Sequence, residues 1–155
     1  MPRGALIIAA VLAGLVTLAC SSGGSDSGPS VSKDDDGSTR TASVEGIDVK
    51  ATWLGSDGEP REGLAEYPPG RFLLLEVTLD THSGDLGSID MVEAAALRTD
   101  AGLLELEAWV ASSDESHHRG GVLVFPREAL TGSVTLTLAL GEEKVELFWE
   151  HIPGN

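Results

Sequence analysis

The sequence predicts an all-β domain built as an antiparallel sandwich, and three observations carry that prediction. Apolar and polar residues alternate with a period of two in one run after another between Ile47 and Trp149, as strands with one buried face require. Clusters of Gly, Pro, Asp and Ser interrupt these runs roughly every ten to fifteen residues, the spacing of a many-stranded β fold. Long helical patterns, which a parallel sheet needs as crossovers, do not separate them.

The folded part is expected to run from Val44 to about residue 152, with 153–155 as a tail. Ile47, Val49, Ala51 and Trp53 alternate with Asp48, Lys50 and Thr52 in a first strand. Turn chemistry at Ser56-Asp57-Gly58-Glu59-Pro60 and Tyr67-Pro68-Pro69-Gly70 follows. Arg71 to Asp80 is the strongest strand, with Leu73, Leu75, Val77 and Leu79 on one face. Val92 to Arg98 reads as a strand entering a hairpin, although Ala94-Ala95-Ala96-Leu97 favours helix by propensity. Leu104, Leu106, Ala108 and Val110 form one alternating strand, with Trp109 on its other face. Gly121 to Phe125 is a short strand closed by Pro126, and Val134 to Leu140 and Val145 to Trp149 are the last two. Seven strands of this kind fit an immunoglobulin-like sandwich first and a small Greek-key barrel second.

Ahead of the domain lies an export signal, residues 1–19. Arg3 supplies a positive start, and Ala5 to Ala19 is an apolar run broken by one Gly and one Thr. As a helix it spans about 22 Å, short of a bilayer core of about 30 Å. It reads as a secretory signal rather than a spanning helix. Val16-Thr17-Leu18-Ala19-Cys20 resembles the lipobox of bacterial lipoproteins, with Thr17 where leucine is usual. The resemblance implies that Cys20, the sole cysteine, carries a thioether-linked diacylglycerol and becomes the first residue of the mature chain. It also implies palmitate-type acyl chains, a bacterial cell envelope location and a membrane partner. Residues 20–43, nearly all Ser, Gly, Asp and Thr, are expected to form a flexible linker. Asp34-Asp35-Asp36 lacks the alternating ligands of a calcium loop and reads as a solvated charge run.

The formal charge of −15 argues against nucleic acid, whose phosphates need a basic footprint. It also sets the domain against anionic lipid, so a membrane contact must go through the anchor. With Cys20 committed, no disulfide remains, and the core alone must hold the domain.

Two segments stand apart, Leu79-Asp80-Thr81-His82-Ser83 and His117-His118-Arg119-Gly120-Gly121-Val122-Leu123-Val124-Phe125-Pro126, the second preceded by Trp109. Together they resemble an uncharacterised bacterial immunoglobulin-like domain with L-D-T-H-S and HHR-x-G-V-L-x-F-P segments; the resemblance implies a shared fold and no activity. Imidazoles beside a carboxylate suit Cu²⁺ or Zn²⁺, so His82, His117, His118 and Asp80 form a candidate metal site, with Asp85 and Glu115 nearby in sequence. The plainer reading is a bidentate ion pair between Asp80 and Arg119 that ties one loop to the other. No nucleophile elbow, HExxH, Walker loop or dinucleotide fingerprint occurs. The sequence therefore points to a non-enzymatic, cofactor-free module that binds another envelope protein or a small ligand. A metal-binding lipoprotein is the alternative.

Overall fold

A computed structural model of the chain describes residues 30–33, 37–55, 63–127 and 132–151. The signal segment, Cys20, the Asp34–Asp36 run and the 153–155 tail lie outside the described residues. Those described form two antiparallel sheets, six-stranded and four-stranded, packed as a sandwich. The strands are β1 (Ser30–Lys33), β2 (Thr39–Val44), β3 (Ile47–Leu54), β4 (Phe72–Thr81), β5 (Ala95–Thr99), β6 (Gly102–Leu104), β7 (Ala108–Asp114), β8 (His118–Pro126), β9 (Val134–Leu140) and β10 (Glu143–Trp149). The larger sheet runs β1-β2-β3-β4-β8-β7 and the smaller β10-β9-β5-β6.

Leu73, Leu75, Val77 and Leu79 all enter the space between the sheets, as their alternation predicts. There they meet Leu123 and Phe125 from β8, Leu136 and Leu138 from β9, and Val145, Leu147 and Trp149 from β10. Each such side chain contributes about 1.5–3 kcal/mol by leaving water, which is how a chain without a disulfide can hold two sheets together. Part of the outer face of β4 and β8 is buried as well. Leu74, Val122 and Val124 form a second cluster with Leu64, and Tyr67 packs against it. The segment after Gly63 thus lies over the larger sheet and covers β8 on its outer side at Val122 and Val124.

Strand pairing begins earlier than expected. Residues 30–33 and 39–43, placed by composition in the linker, form β1 and, together with Val44, β2, paired to each other and, through β2, to β3. Composition hides an alternation: Ala42 and Val44 point into the core, while Thr41 and Ser43 face outward. Hydroxyls then pair across strands, Ser32 Oγ with Thr41 Oγ1 at 2.5 Å and Thr39 Oγ1 with Thr52 Oγ1 at 3.1 Å. Between β2 and β3, Glu45 and Gly46 both take positive φ, 47° and 80°, as a tight two-residue hairpin loop demands.

Three further expectations change. The segment from Val92 does not open as strand: Asp90 accepts from the amides of Val92 and Glu93 and caps one helical turn, α1 (Met91–Ala94), before β5 begins. The run from Leu104 to Val110 is two strands, not one. β6 belongs to the smaller sheet and β7 to the larger, and 105–107 crosses between them. The crossing resets the alternation, so Trp109 packs against the main core while Ala108 and Val110 join the outer cluster. Finally, β8 starts at His118 rather than Gly121, which places the His-Arg pair inside the sheet.

Arg40 joins the two sheets at one end. Buried to 6% exposure, it donates from Nε to the Phe148 carbonyl at 2.7 Å and from Nη1 to the carbonyls of Gly37 and Thr39. Its guanidinium lies 5.3 Å from the centre of the Trp149 ring. That indole donates in turn to the Ser38 carbonyl at 3.1 Å, which also accepts from the Trp53 amide.

Candidate functional site

The pairing of β4 with β8 brings the two singled-out segments together. Asp80 lies opposite His118, and Leu79 opposite Arg119. Because successive side chains on a strand point to opposite faces, His118 shares the outer face with Asp80 and Arg119 turns inward with Leu79. The outcome is two separate interactions in place of the expected Asp80–Arg119 pair.

On the outside, His118 Nδ1 meets Asp80 Oδ1 at 2.5 Å, with side chains 67% and 46% exposed. On the inside, Arg119 is 7% exposed. It donates from Nη1 to the carbonyl of Leu86 at 2.9 Å and to that of Ile89. Its Nε stands 2.8 Å from Asp114 Oδ1, the carboxylate of the residue opposite it on β7. That contact is an ion pair and not an aligned hydrogen bond, because the Nε–H has no acceptor in line. The guanidinium also lies 5.9 Å from the centre of the Trp109 ring.

Around these two pairs the loops close on backbone bonds. The Thr81 amide donates to the His117 carbonyl at 3.0 Å, and the Leu86 amide to the Ser116 carbonyl at 2.8 Å. Thr81 Oγ1 donates to the carbonyls of Ser83 and Gly46. Asp85 accepts from the Gly87 amide and starts the short 3-10 turn at Leu86–Ser88. The Glu115 amide donates to the His118 carbonyl within the β7–β8 hairpin. The glycines of β8 serve packing: a Cβ on Gly121 would stand 2.6 Å from the Trp109 ring and from the Val110 carbonyl. Trp109 therefore lies across a strand position that only glycine can occupy.

His82 and His117 are exposed at this end of the sandwich. Among the described residues, no three His, Cys, Asp or Glu side chains come together in a way that could hold a metal ion. His82, His117, His118 and Asp80 are thus neighbours along the chain and the sheet without forming a ligand set. The residues that sequence reasoning missed are Asp114, which takes the role expected of Asp80, and the carbonyl oxygens of Leu86 and Ile89. Carbonyls leave no mark in a sequence. Beside Asp80, the outer face holds a shallow depression of about 310 Å³ that Thr41, Ser43, Asp48 and Lys50 also line.

No protein-family model matches the chain, and no curated protein matches it. Among solved structures, it is similar to the crystal structure of a secreted protein from Mycobacterium tuberculosis, MPT63, at 18% identity and a TM-score of 0.43. The match covers 80% of this chain and 92% of that one.

Proposed function

We propose that the chain is an exported bacterial lipoprotein, held by diacylglycerol on Cys20, whose sandwich is a non-catalytic interaction module on the outer side of a membrane. The observation that carries this reading is Val16-Thr17-Leu18-Ala19-Cys20: a lipobox-like segment that ends a short apolar run and contains the only cysteine. Two or more acyl chains hold a protein stably where one does not, since each buried CH₂ contributes about 0.8 kcal/mol. An acidic surface keeps the domain itself off anionic headgroups, so the anchor alone fixes it. The module reading draws support from the histidine segments, whose polar groups serve largely to close one end of the sandwich. Among the described residues, no helix is long and apolar enough to cross a membrane.

The test is fractionation of cells expressing the native chain and Cys20→Ser, with an intact mass of the mature protein. Native chain in the membrane fraction with an added diacylglycerol mass, and Cys20→Ser released into the soluble exported fraction, is the expected result. A mature N-terminus elsewhere, or a variant still bound to membranes, overturns it.

A further inference from the structure

The larger sheet ends in β7, and among the described residues no strand pairs with the outer side of β7. An open edge of this kind offers backbone donors and acceptors to any extended chain, and folds commonly guard it with lysine, proline or a bulge. Here the guard is partial. A register shift between Ala111 and Ser113 interrupts pairing with β8, yet Ala108 to Ser113 contains no lysine and no proline. Ala111 and Ser112 are exposed and small.

Beside this edge the outer face holds a groove of about 460 Å³, lined by Leu64, Glu76, Val110, Ala111, Ser112 and Val122 among others. The chain at Gly63 forms one wall by approaching Val110: a Cβ there would stand 3.2 Å from Val110 Cγ1. Charge brackets the edge at both ends, with Glu105 and Glu107 ahead of it and Asp114 and Glu115 behind, all exposed.

We infer that the β7 edge is a strand-addition site for an extended peptide of another protein, with an apolar centre that enters the groove and basic residues at either end. Backbone pairing supplies affinity in such complexes, and alternate side chains in pockets supply specificity. In the register centred on Ala111 a second copy of this chain is disfavoured. Two-fold antiparallel pairing centred on Ala111 sets Glu107 opposite Glu115 twice, and like charges directly opposite destabilise a sheet. A basic segment reverses that sign. The edge also lies at the far side of the sheet from β1, where the chain leads back to Cys20. Five strand spacings separate the two, about 24 Å.

The inference rests on the chain being an interaction module but not on its lipid anchor, which fractionation tests separately. The whole exported chain carrying Cys20→Ser is titrated with a heptapeptide of alternating valine and threonine with a lysine at each end, followed by backbone NMR. A second peptide of the same charge has proline in place of its central valine, and so cannot pair continuously. The expected result is perturbation confined to 63–64, 108–114 and 122, with the proline peptide at least tenfold weaker. Ser112→Pro, which blocks the edge, weakens binding at least tenfold without altering charge. Equal binding of both peptides, perturbation spread over the acidic surface, or no binding at millimolar peptide overturns the inference. So does a dimer in sedimentation that Ser112→Pro abolishes.

Discussion

His118 and Asp80 meet at 2.5 Å on the outer face of the β4–β8 pair, and the next residue, Arg119, is turned to the opposite face of the same strand. Two adjacent side chains thus do different work. One pins two strands at the surface; the other anchors a separate loop from within.

The outer pair is exposed, so its coupling is small. A double-mutant cycle with Asp80→Asn and His118→Ala, read by urea unfolding at neutral pH, is expected to give a coupling energy below about 1 kcal/mol. A coupling of several kcal/mol would show that the pair is far less hydrated than the structure has it.

Arg119 is expected to matter much more. Arg119→Met takes the guanidinium away from the Ile89 carbonyl and leaves the Leu86 carbonyl with the Ile89 amide as its remaining donor, and should cost about 2–4 kcal/mol. Asp114→Asn should cost under about 1 kcal/mol, because that carboxylate is 61% exposed. Hydrogen exchange distinguishes a local from a global effect: in Arg119→Met, protection falls first across 86–94. Uniform loss of protection over the whole chain would count against the anchoring role.

Gly121→Ala forces a methyl group into the Trp109 ring and the Val110 carbonyl. Overpacking of this sort costs about 1–3 kcal/mol. The tryptophan emission should shift as the indole is displaced, and an unchanged spectrum with unchanged stability would refute the contact.

Glu45 adopts φ of 47° in the β2–β3 hairpin, a conformation side chains seldom take. Glu45→Asn creates an Asn-Gly loop suited to that geometry and should raise stability by about 0.5–1 kcal/mol. The midpoint of thermal unfolding reports it.

The sandwich was legible because long strands announce themselves. On β4, β9 and β10 large apolar side chains recur at every second residue along one face, and each of these strands took the face assigned to it. Legibility failed where a short strand is made of polar β-formers. β2 buries Ala42 and Val44 but reads as spacer because Thr39, Thr41 and Ser43 dominate its composition. It also failed at 105–107, where a chain that changes sheets keeps its apparent period while reversing which residues face inward. At the candidate site the two segments do meet, but Asp80 pairs with His118 and not with Arg119. Adjacent residues of a strand cannot both face Asp80, and that parity becomes readable only once β8 is known to start at His118. Arg40 gave no signal, since a cation in a Ser/Thr-rich segment looks solvated until its carbonyl partners are placed.

The pairing of Ser30–Lys33 on the rim of the larger sheet has a mechanical consequence. If Cys20 is the fixed point, nine residues (21–29) separate it from the first strand while β1 stays in place, an upper reach of about 35 Å from the cysteine. A four-residue rim strand opens at far lower free energy than the whole domain. Once it peels away, the leash runs to Thr39, and its slack roughly doubles. Stapling Val31 to Ala42, their Cα positions paired, as a disulfide would hold the leash short, and distance measurements from the bilayer to the domain would then lose their longer population.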